Sequence, residues 1–168
     1  SGSDAILATM KRRYRVRDYS SLLERVTARG TVAIGADVIV GHPGEGDAEF
    51  DETRRFVEGA PLTYLHVFRY SARPGTAAAP LPAPHAARER AGVLRALGRA
   101  KEVAFYQSLV GTTRPVLLEG RSDAEGVRGR ADVYAPVLLR STPRWDGINR
   151  VVLREAGPEG CVGDLATR

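Results

Sequence analysis

Two strand-like runs, each breaking into a polar loop that bears glycine and proline, constrain this chain more than anything else in it. Gly35-Ala36-Asp37-Val38-Ile39-Val40 runs into Gly41-His42-Pro43-Gly44-Glu45, and Leu65-His66-Val67-Phe68 runs into Arg69-Tyr70-Ser71-Ala72-Arg73-Pro74-Gly75-Thr76. A Val/Ile run without polar alternation fits a strand covered on both faces, the usual condition of parallel strands in an α/β layer. Such layers place their sites at the carboxyl ends of strands, so the two loops are expected to face one ligand.

The segments around these strands read as helices. Residues 4–10 carry Ile6, Leu7 and Met10 on one face, with Ser3 or Asp4 as the N-cap oxygen. Residues 18–28 carry Tyr19, Leu22, Leu23 and Val26 at three- and four-residue steps, and Gly30 follows as the expected C-cap. Strands are expected over 31–40 and 62–68, separated by a helix over 47–58 whose early Asp47, Glu49, Asp51 and Glu52 complement the helix dipole. Two parallel strands bury too little to stand alone, so either another segment covers them or the sequence is part of something larger.

Pro80, Pro82 and Pro84 stiffen residues 77–84 into a linker, and 86–109 reads as a long helix with Val93, Leu97, Ala100 and Ala104 as its stripe, flanked by Leu94 and Phe105. Beyond Gly111 the pattern becomes short β segments at 115–119, 131–139, 149–154 and 161–165, which predicts a small antiparallel barrel. The organisation expected is therefore residues 1–83 as an α/β portion, 84–110 as a connecting helix and 111–168 as the barrel.

Composition excludes several classes. Cys161 is the single cysteine, so no internal disulfide and no cysteine metal cluster can form within the chain. No apolar run reaches the roughly 18 residues needed to span a membrane and no leader pattern is present, so no membrane partner is expected and the cytoplasm is the default compartment. The excess of 25 Lys+Arg over 20 Asp+Glu is modest, and the tail from 111 holds nine Arg against eight acidic residues. A basic balance of this size is compatible with RNA without requiring it.

Spacing alone leaves the chemistry open. The 41–45 loop has two readings, a backbone-lined ligand site or an ordinary strand-to-helix turn, and no Gly-Lys-Ser/Thr makes it a Walker phosphate loop. Arg73 suits a bidentate carboxylate or phosphate contact but also a solvated loop. The Lys11 to Arg17 cluster suits either an RNA backbone or a solvated helix junction. His42, His66 and His85 match no metal template, and Cys161 reads as a small buried hydrophobe.

In combination the boxes resemble the radical S-adenosylmethionine methylthiotransferases, over almost the whole chain. Ser1-Gly2-Ser3-Asp4 and Met10-Lys11-Arg12-Arg13-Tyr14 are similar to that family's Ser-Gly-Ser segment and Met-x-Arg-x-Tyr helix. Asp37-Val38-Ile39-Val40-Gly41-His42-Pro43-Gly44-Glu45, with Phe50 and Thr53 downstream, is similar to its Ile-Val-Gly-Phe-Pro-Gly-Glu signature, with His42 for Phe and Gly46 for Thr. Tyr70-Ser71-Ala72-Arg73-Pro74-Gly75-Thr76 is similar to its Tyr-Ser-x-Arg-x-Gly-Thr box, and Leu65-His66-Val67-Phe68 is closest to the subgroup acting on threonylcarbamoyladenosine in tRNA. The tail after Phe105-Tyr106-x-Ser108-Leu109 resembles the RNA-binding barrel called TRAM.

The resemblance implies an α/β fold: the C-terminal part of a partial (β/α) radical barrel, then a small OB-like antiparallel barrel. It implies S-adenosylmethionine as cofactor, with Ser1 and Ser3 near its ribose or methionine part, Val40 and Gly41 near its adenine, and Tyr70 beside them. It implies tRNA as partner, touched by Arg73, Arg12 and Arg13. The implied reaction adds a methylthio group to N6-threonylcarbamoyladenosine. The family's 4Fe-4S cluster is held by a C-x-x-x-C-x-x-C motif and three further cysteines, all lacking here, so the chain holds no metal and performs no radical step alone. A missing N-terminal half would supply them. The opening inside a motif at Ser1 points to a piece of a longer enzyme, a fragmentary gene product or a degenerate relative. The alternatives are a non-catalytic RNA-binding protein that relies on the barrel, or a methylthiotransferase acting on another adenosine derivative or on a ribosomal protein.

Overall fold

The computed structural model describes residues 1–119, 125–140 and 147–166. Residues 120–124, 141–146 and 167–168 of the expected barrel portion lie outside the described residues. The chain forms two compact units, Ser1–Arg99 and Ala100–Arg168. The division falls inside the long helix rather than on either side of it.

The first unit holds α1 (Asp4–Thr9), α2 (Val16–Thr27), β1 (Gly35–Val40), α3 (Asp47–Gly59), β2 (Tyr64–Arg69) and the first half of α4 (Ala87–Ser108). β1 and β2 pair in parallel, Gly35 opposite Tyr64 through Val40 opposite Arg69. Among the described residues this sheet has two strands, so a partial radical-enzyme barrel is not shown. β1 begins at Gly35 rather than at 31, where the apolar pattern places its start.

Helix starts are fixed by carboxylates folding back onto free N–H groups. Asp18 accepts from the Arg15 N–H at 2.9 Å, and Glu49 accepts from the Gly46 N–H at 2.9 Å. At α1 the expected cap is not made: the Ser3 hydroxyl bonds no backbone group, and Asp4 instead accepts from the Val16 N–H at 2.8 Å, tying α1 to α2. Gly30 does not cap α2, whose C-cap is Ala28; Gly30 has φ 132 and lies in the turn beyond.

One face of the sheet is closed by α4. Val38, Val40 and Val67 pack with Ala91 and Leu94, and a second cluster joins Leu23, Val57, Ala60 and Leu62. The stripe expected on α4 is rotated: Val93, Ala100 and Ala104 are exposed, and the buried line is Arg90, Ala91, Leu94 and Gly98. Gly98 belongs to that line because Leu65 crosses there, 3.2 Å from where a Cβ would sit. The other face of the sheet carries Asp37, Ile39 and Phe68, and Phe68 is half exposed.

The second unit is a closed five-stranded barrel in the order β3-β4-β5-β7-β6, from β3 (Thr113–Leu118), β4 (Val127–Ala131), β5 (Pro136–Leu139), β6 (Ile148–Gly157) and β7 (Gly160–Leu165). Alternation points Val116, Ala131, Val137, Leu139, Val151 and Leu153 inward, onto Tyr106 of α4 and Leu109 just after it, and Val127 is buried as well. Each large aliphatic side chain removed from water here contributes about 1.5–3 kcal/mol. Two expectations are corrected. The expected 131–139 strand is β5 alone at its far end: Ala131 closes β4, and the residues between turn tightly, with Tyr134 at φ 61. The barrel is not wholly antiparallel, because β5 and β7 run parallel, Val137 opposite Cys161. β4 was missed because its sequence, Val-Arg-Gly-Arg-Ala, has small residues on its buried face.

Candidate functional site

The loop after β1 is built around one carboxylate. Gly41 takes φ 75, and a Cβ there would lie 2.4 Å from the Ala87 methyl group, so neither conformation nor space admits a side chain. The loop turns at Pro43-Gly44 and returns Glu45 beneath its own start. There Glu45 Oε1 accepts from the Gly41 N–H at 2.9 Å and from Arg90 Nη1 at 2.9 Å. Arg90 also donates to the Glu45 carbonyl at 2.8 Å and to Asp47 Oδ1 at 2.8 Å. The Glu45 side chain is fully buried and that of Arg90 6% exposed, with the Phe50 ring 5.4 Å from the guanidinium. Burial pulls the Arg90 guanidinium down, but hydrogen bonds and charges from Asp47 and Glu45 outweigh it and leave it above its ordinary value.

Sequence reading missed Arg90. Its signal was its step of one and four residues from Ala91 and Leu94 on the buried face, which marks a charge that must have a buried partner.

Beside this lock, the Tyr70 N–H donates to the Val40 carbonyl at 2.8 Å, so the second loop leaves β2 alongside the first. His42 stands edge-on to the Tyr70 ring, centroids 5.1 Å apart, with Nδ1 2.9 Å from the Pro43 carbonyl and 3.4 Å from Thr9 Oγ1. Three buried oxygens make no hydrogen bond among the described residues: Ser3 Oγ, Glu45 Oε2 and the Tyr70 hydroxyl. Buried polar atoms are ordinarily satisfied, so Glu45 Oε2 in the first loop and the Tyr70 hydroxyl in the second mark places that suit a polar group.

Next to Tyr70 and His42 opens a cleft of about 770 Å³, running over the exposed face of the sheet. Lys11, Arg12, Arg69 and Arg73 line it, together with Asp37, Ile39 and Phe68. Among the described residues none of those four cations forms an ion pair.

The expected site residues therefore separate. Tyr70, Arg12 and Arg73 share the cleft. Gly41 forms the loop start held by Glu45. The Val40 side chain is fully buried in the apolar core, so only its backbone faces the loops. Ser1 lies against α3, its hydroxyl 3.2 Å from Thr53 Oγ1, and lines a smaller recess of about 120 Å³ with Thr53 and Phe56. Ser3 is fully buried. Arg13 lines a separate surface hollow with Asp4, Arg12 and Arg15.

The two implied groups fare differently. The unpartnered serine, tyrosine and carboxylate oxygens, with the glycine backbone at Gly41, fit a polar cofactor such as S-adenosylmethionine. An iron-sulfur cluster does not fit: no group of three or more His, Cys, Asp or Glu gathers among the described residues, and Cys161 is buried inside the barrel. Burial pushes its thiol up from the ordinary value.

No protein-family model matches the chain. Curated proteins do. The chain is 37% identical over 172 residues to the tRNA-2-methylthio-N(6)-dimethylallyladenosine synthase of Alkalilimnicola ehrlichii, covering 98% of this chain and 38% of that protein. It is 36% identical over 174 residues to the synthase of the same name from Chromobacterium violaceum, covering 99% and 39%, and 37% identical over 171 residues to that of Novosphingobium aromaticivorans, covering 99% and 39%. These names carry dimethylallyladenosine, not the threonylcarbamoyladenosine of the subgroup expected from Leu65-His66-Val67-Phe68; that tetrapeptide lies on β2, where Val67 is buried while His66 and Phe68 are exposed. Over nearly its whole length the chain is thus similar to tRNA-2-methylthio-N(6)-dimethylallyladenosine synthases, spanning under two fifths of the length of these relatives.

Proposed function

We propose that this chain is the C-terminal portion of a tRNA methylthiotransferase whose substrate base is dimethylallyladenosine. The observation that carries the reading is the 37% identity, sustained across 98% of the chain, to a synthase of that name. In this reading residues 1–83 and the start of α4 are the last part of a radical-enzyme barrel, 84–110 is the connecting helix, and 111–168 is a TRAM-like RNA-binding barrel. S-adenosylmethionine sits at the strand-end loops, and a cysteine-bearing segment elsewhere supplies the 4Fe-4S cluster that cleaves it. What this chain's residues contribute is placement: Glu45 and Arg90 hold the Gly41 backbone, and Ser3 and Tyr70 present oxygens to a polar ligand. tRNA as substrate places the work in the cytoplasm; no helix among the described residues is long and apolar enough to cross a membrane.

The test is a chimera. The chain replaces the matching region of the Alkalilimnicola enzyme, the cluster is reconstituted without oxygen, and nucleosides from digested tRNA are read by mass spectrometry. Methylthiolated dimethylallyladenosine is the expected product; no product from a folded, cluster-loaded chimera overturns the reading.

A second reading is a non-catalytic RNA-binding protein. It is supported by the barrel's strand order, β3-β4-β5-β7-β6 with β5 and β7 parallel, which suits an OB-like module of the kind that binds oligonucleotides. RNA binding by the full chain, with no product from the chimera, would favour it.

A further inference from the structure

At position 42 the chain carries histidine where the signature it otherwise resembles carries phenylalanine. The residue is 5% exposed and lines the cleft together with Tyr70. Its Nδ1 is 2.9 Å from the Pro43 carbonyl and 3.4 Å from Thr9 Oγ1. A carbonyl can only accept, and the Thr9 hydroxyl already donates its one hydrogen to the Ile6 carbonyl at 2.8 Å, so it too is left as an acceptor. Both neighbours therefore call for the hydrogen on Nδ1. In the neutral ring Nε2 is then a bare acceptor, and it makes no hydrogen bond among the described residues.

The surroundings give that acceptor its meaning. Lys11, Arg12, Arg69 and Arg73, which share the cleft wall, can only donate. The Tyr70 hydroxyl is buried without a partner, its ring edge-on to His42 with centroids 5.1 Å apart. Among the lining side chains, the Asp37 carboxylate is the other strong group that can only accept. A wall of donors with one ring nitrogen among them suits a ligand that brings an N–H of its own, and a phenylalanine at 42 offers such a ligand no polar atom. Held from behind through Nδ1, the imidazole is oriented before any ligand arrives, so the contact costs little ordering.

We propose that His42 Nε2 accepts a hydrogen bond from the exocyclic N–H of an adenine, which makes position 42 a specificity-determining residue of this chain. The proposal rests on the methylthiotransferase reading, under which the ligands at the strand-end loops are S-adenosylmethionine and a dimethylallyladenosine. Both keep a hydrogen on the exocyclic nitrogen, and that hydrogen is the chemistry they share. An unsubstituted purine has no such group. Hypoxanthine and guanine place a carbonyl oxygen there instead, which sets two acceptors against each other and leaves both unsatisfied.

The test is discrimination by the full chain between nucleosides that differ at that one group. Adenosine, purine riboside and inosine are titrated in turn, and the same three bases are placed at one position of a hairpin oligoribonucleotide. One neutral hydrogen bond is worth a factor of about three to ten. Adenosine is therefore expected to bind more tightly than purine riboside by that factor, and more tightly than inosine by a larger one. His42→Phe is expected to erase the difference between adenosine and purine riboside. A preference among the free nucleosides assigns the contact to the adenine of the cofactor; a preference confined to the hairpin assigns it to a base of the RNA. Nitrogen NMR of the unaltered chain needs no variant: the hydrogen is expected on Nδ1 of His42, and the Nε2 signal is expected to move with adenosine and not with purine riboside. A hydrogen on Nε2, equal affinities or no binding in both arms, or a preference that survives His42→Phe overturns the proposal. None of these measurements needs turnover, so the two readings fail separately. If the chimera makes product while the chain shows no adenosine preference, the methylthiotransferase reading stands and His42 only packs against Tyr70; if the preference follows His42 while the chimera makes no product, that reading falls and an adenine site remains.

Discussion

Arg90 and Glu45 form a buried ion pair, Nη1 to Oε1 at 2.9 Å, in which the same carboxylate oxygen also holds the Gly41 N–H. The pair joins α4 to the loop after β1, so α4 braces the carboxylate with which the loop keeps Gly41 in place. Removing Arg90 strands the Glu45 charge out of water, which costs about 3–5 kcal/mol, whereas removing Glu45 leaves Arg90 paired with Asp47 at 2.8 Å. Arg90→Met and Glu45→Gln are each expected to lower the thermal midpoint of the first unit markedly. The double variant is expected to recover part of that loss, because no buried charge is left alone. Equal, additive losses in a melting series would contradict the coupling.

Lys11 gives a variant whose two effects have opposite signs. Lys11 ends α1 in the left-handed conformation, at φ 56, so Lys11→Gly removes that strain and is expected to raise stability by about 1 kcal/mol. The same change removes a cleft cation and is expected to weaken RNA binding. Urea melts and RNA titrations on one preparation check both. Stabilisation with unchanged affinity would leave Lys11 outside the RNA contact.

The barrel is expected to be sensitive to alkali. The Tyr106 hydroxyl donates to Glu102 at 2.8 Å, and burial, then that bond and its charge, raise its pKa above the ordinary 10.0. Burial raises the Cys161 thiol above its ordinary 9.0. Both groups are held protonated by the fold, so the stability they add is complete below their ordinary values and is lost as pH rises through the elevated ones. Stability followed by denaturant should therefore fall from about pH 9 upward, and Tyr106→Phe with Cys161→Ala should flatten that fall. Alkylation of Cys161 at pH 8 should be slow in the folded chain and fast in urea.

Phe68, 51% exposed, and Ile39 lie side by side on the face of the sheet away from α4. An apolar face of this kind on a two-stranded sheet favours association. Light scattering is expected to show self-association that falls with Phe68→Ser; a clean monomer at high concentration would contradict it.

The strands and their loops were legible because Val, Ile, Gly and Pro act locally: β1, β2 and α3 lie within a few residues of their expected places. What was not legible depended on partners distant in sequence. Arg90 gives no local sign that its carboxylates lie some 45 residues earlier. Gly98 reads as a helix flaw until Leu65 is seen beside it. The break between β4 and β5 was hidden because Val133 and Ala135 continue the apolar pattern while the backbone turns at Tyr134. Of the site, the loops could be read, whereas the gathering of Lys11, Arg12, Arg69 and Arg73 in one cleft depends on side-chain neighbours.

The contact between Gly41 and Ala87 has an evolutionary reading. The Ala87 methyl group occupies the volume a side chain at 41 would need, so the two positions cannot drift independently. A larger residue at 87 would press on the backbone whose N–H Glu45 holds, and a change at the start of α4 would then present as a defect of the loop itself. Among relatives, variation at position 87 is accordingly expected to stop at alanine or smaller wherever the loop is kept, which makes that helix start a marker of sites still under selection.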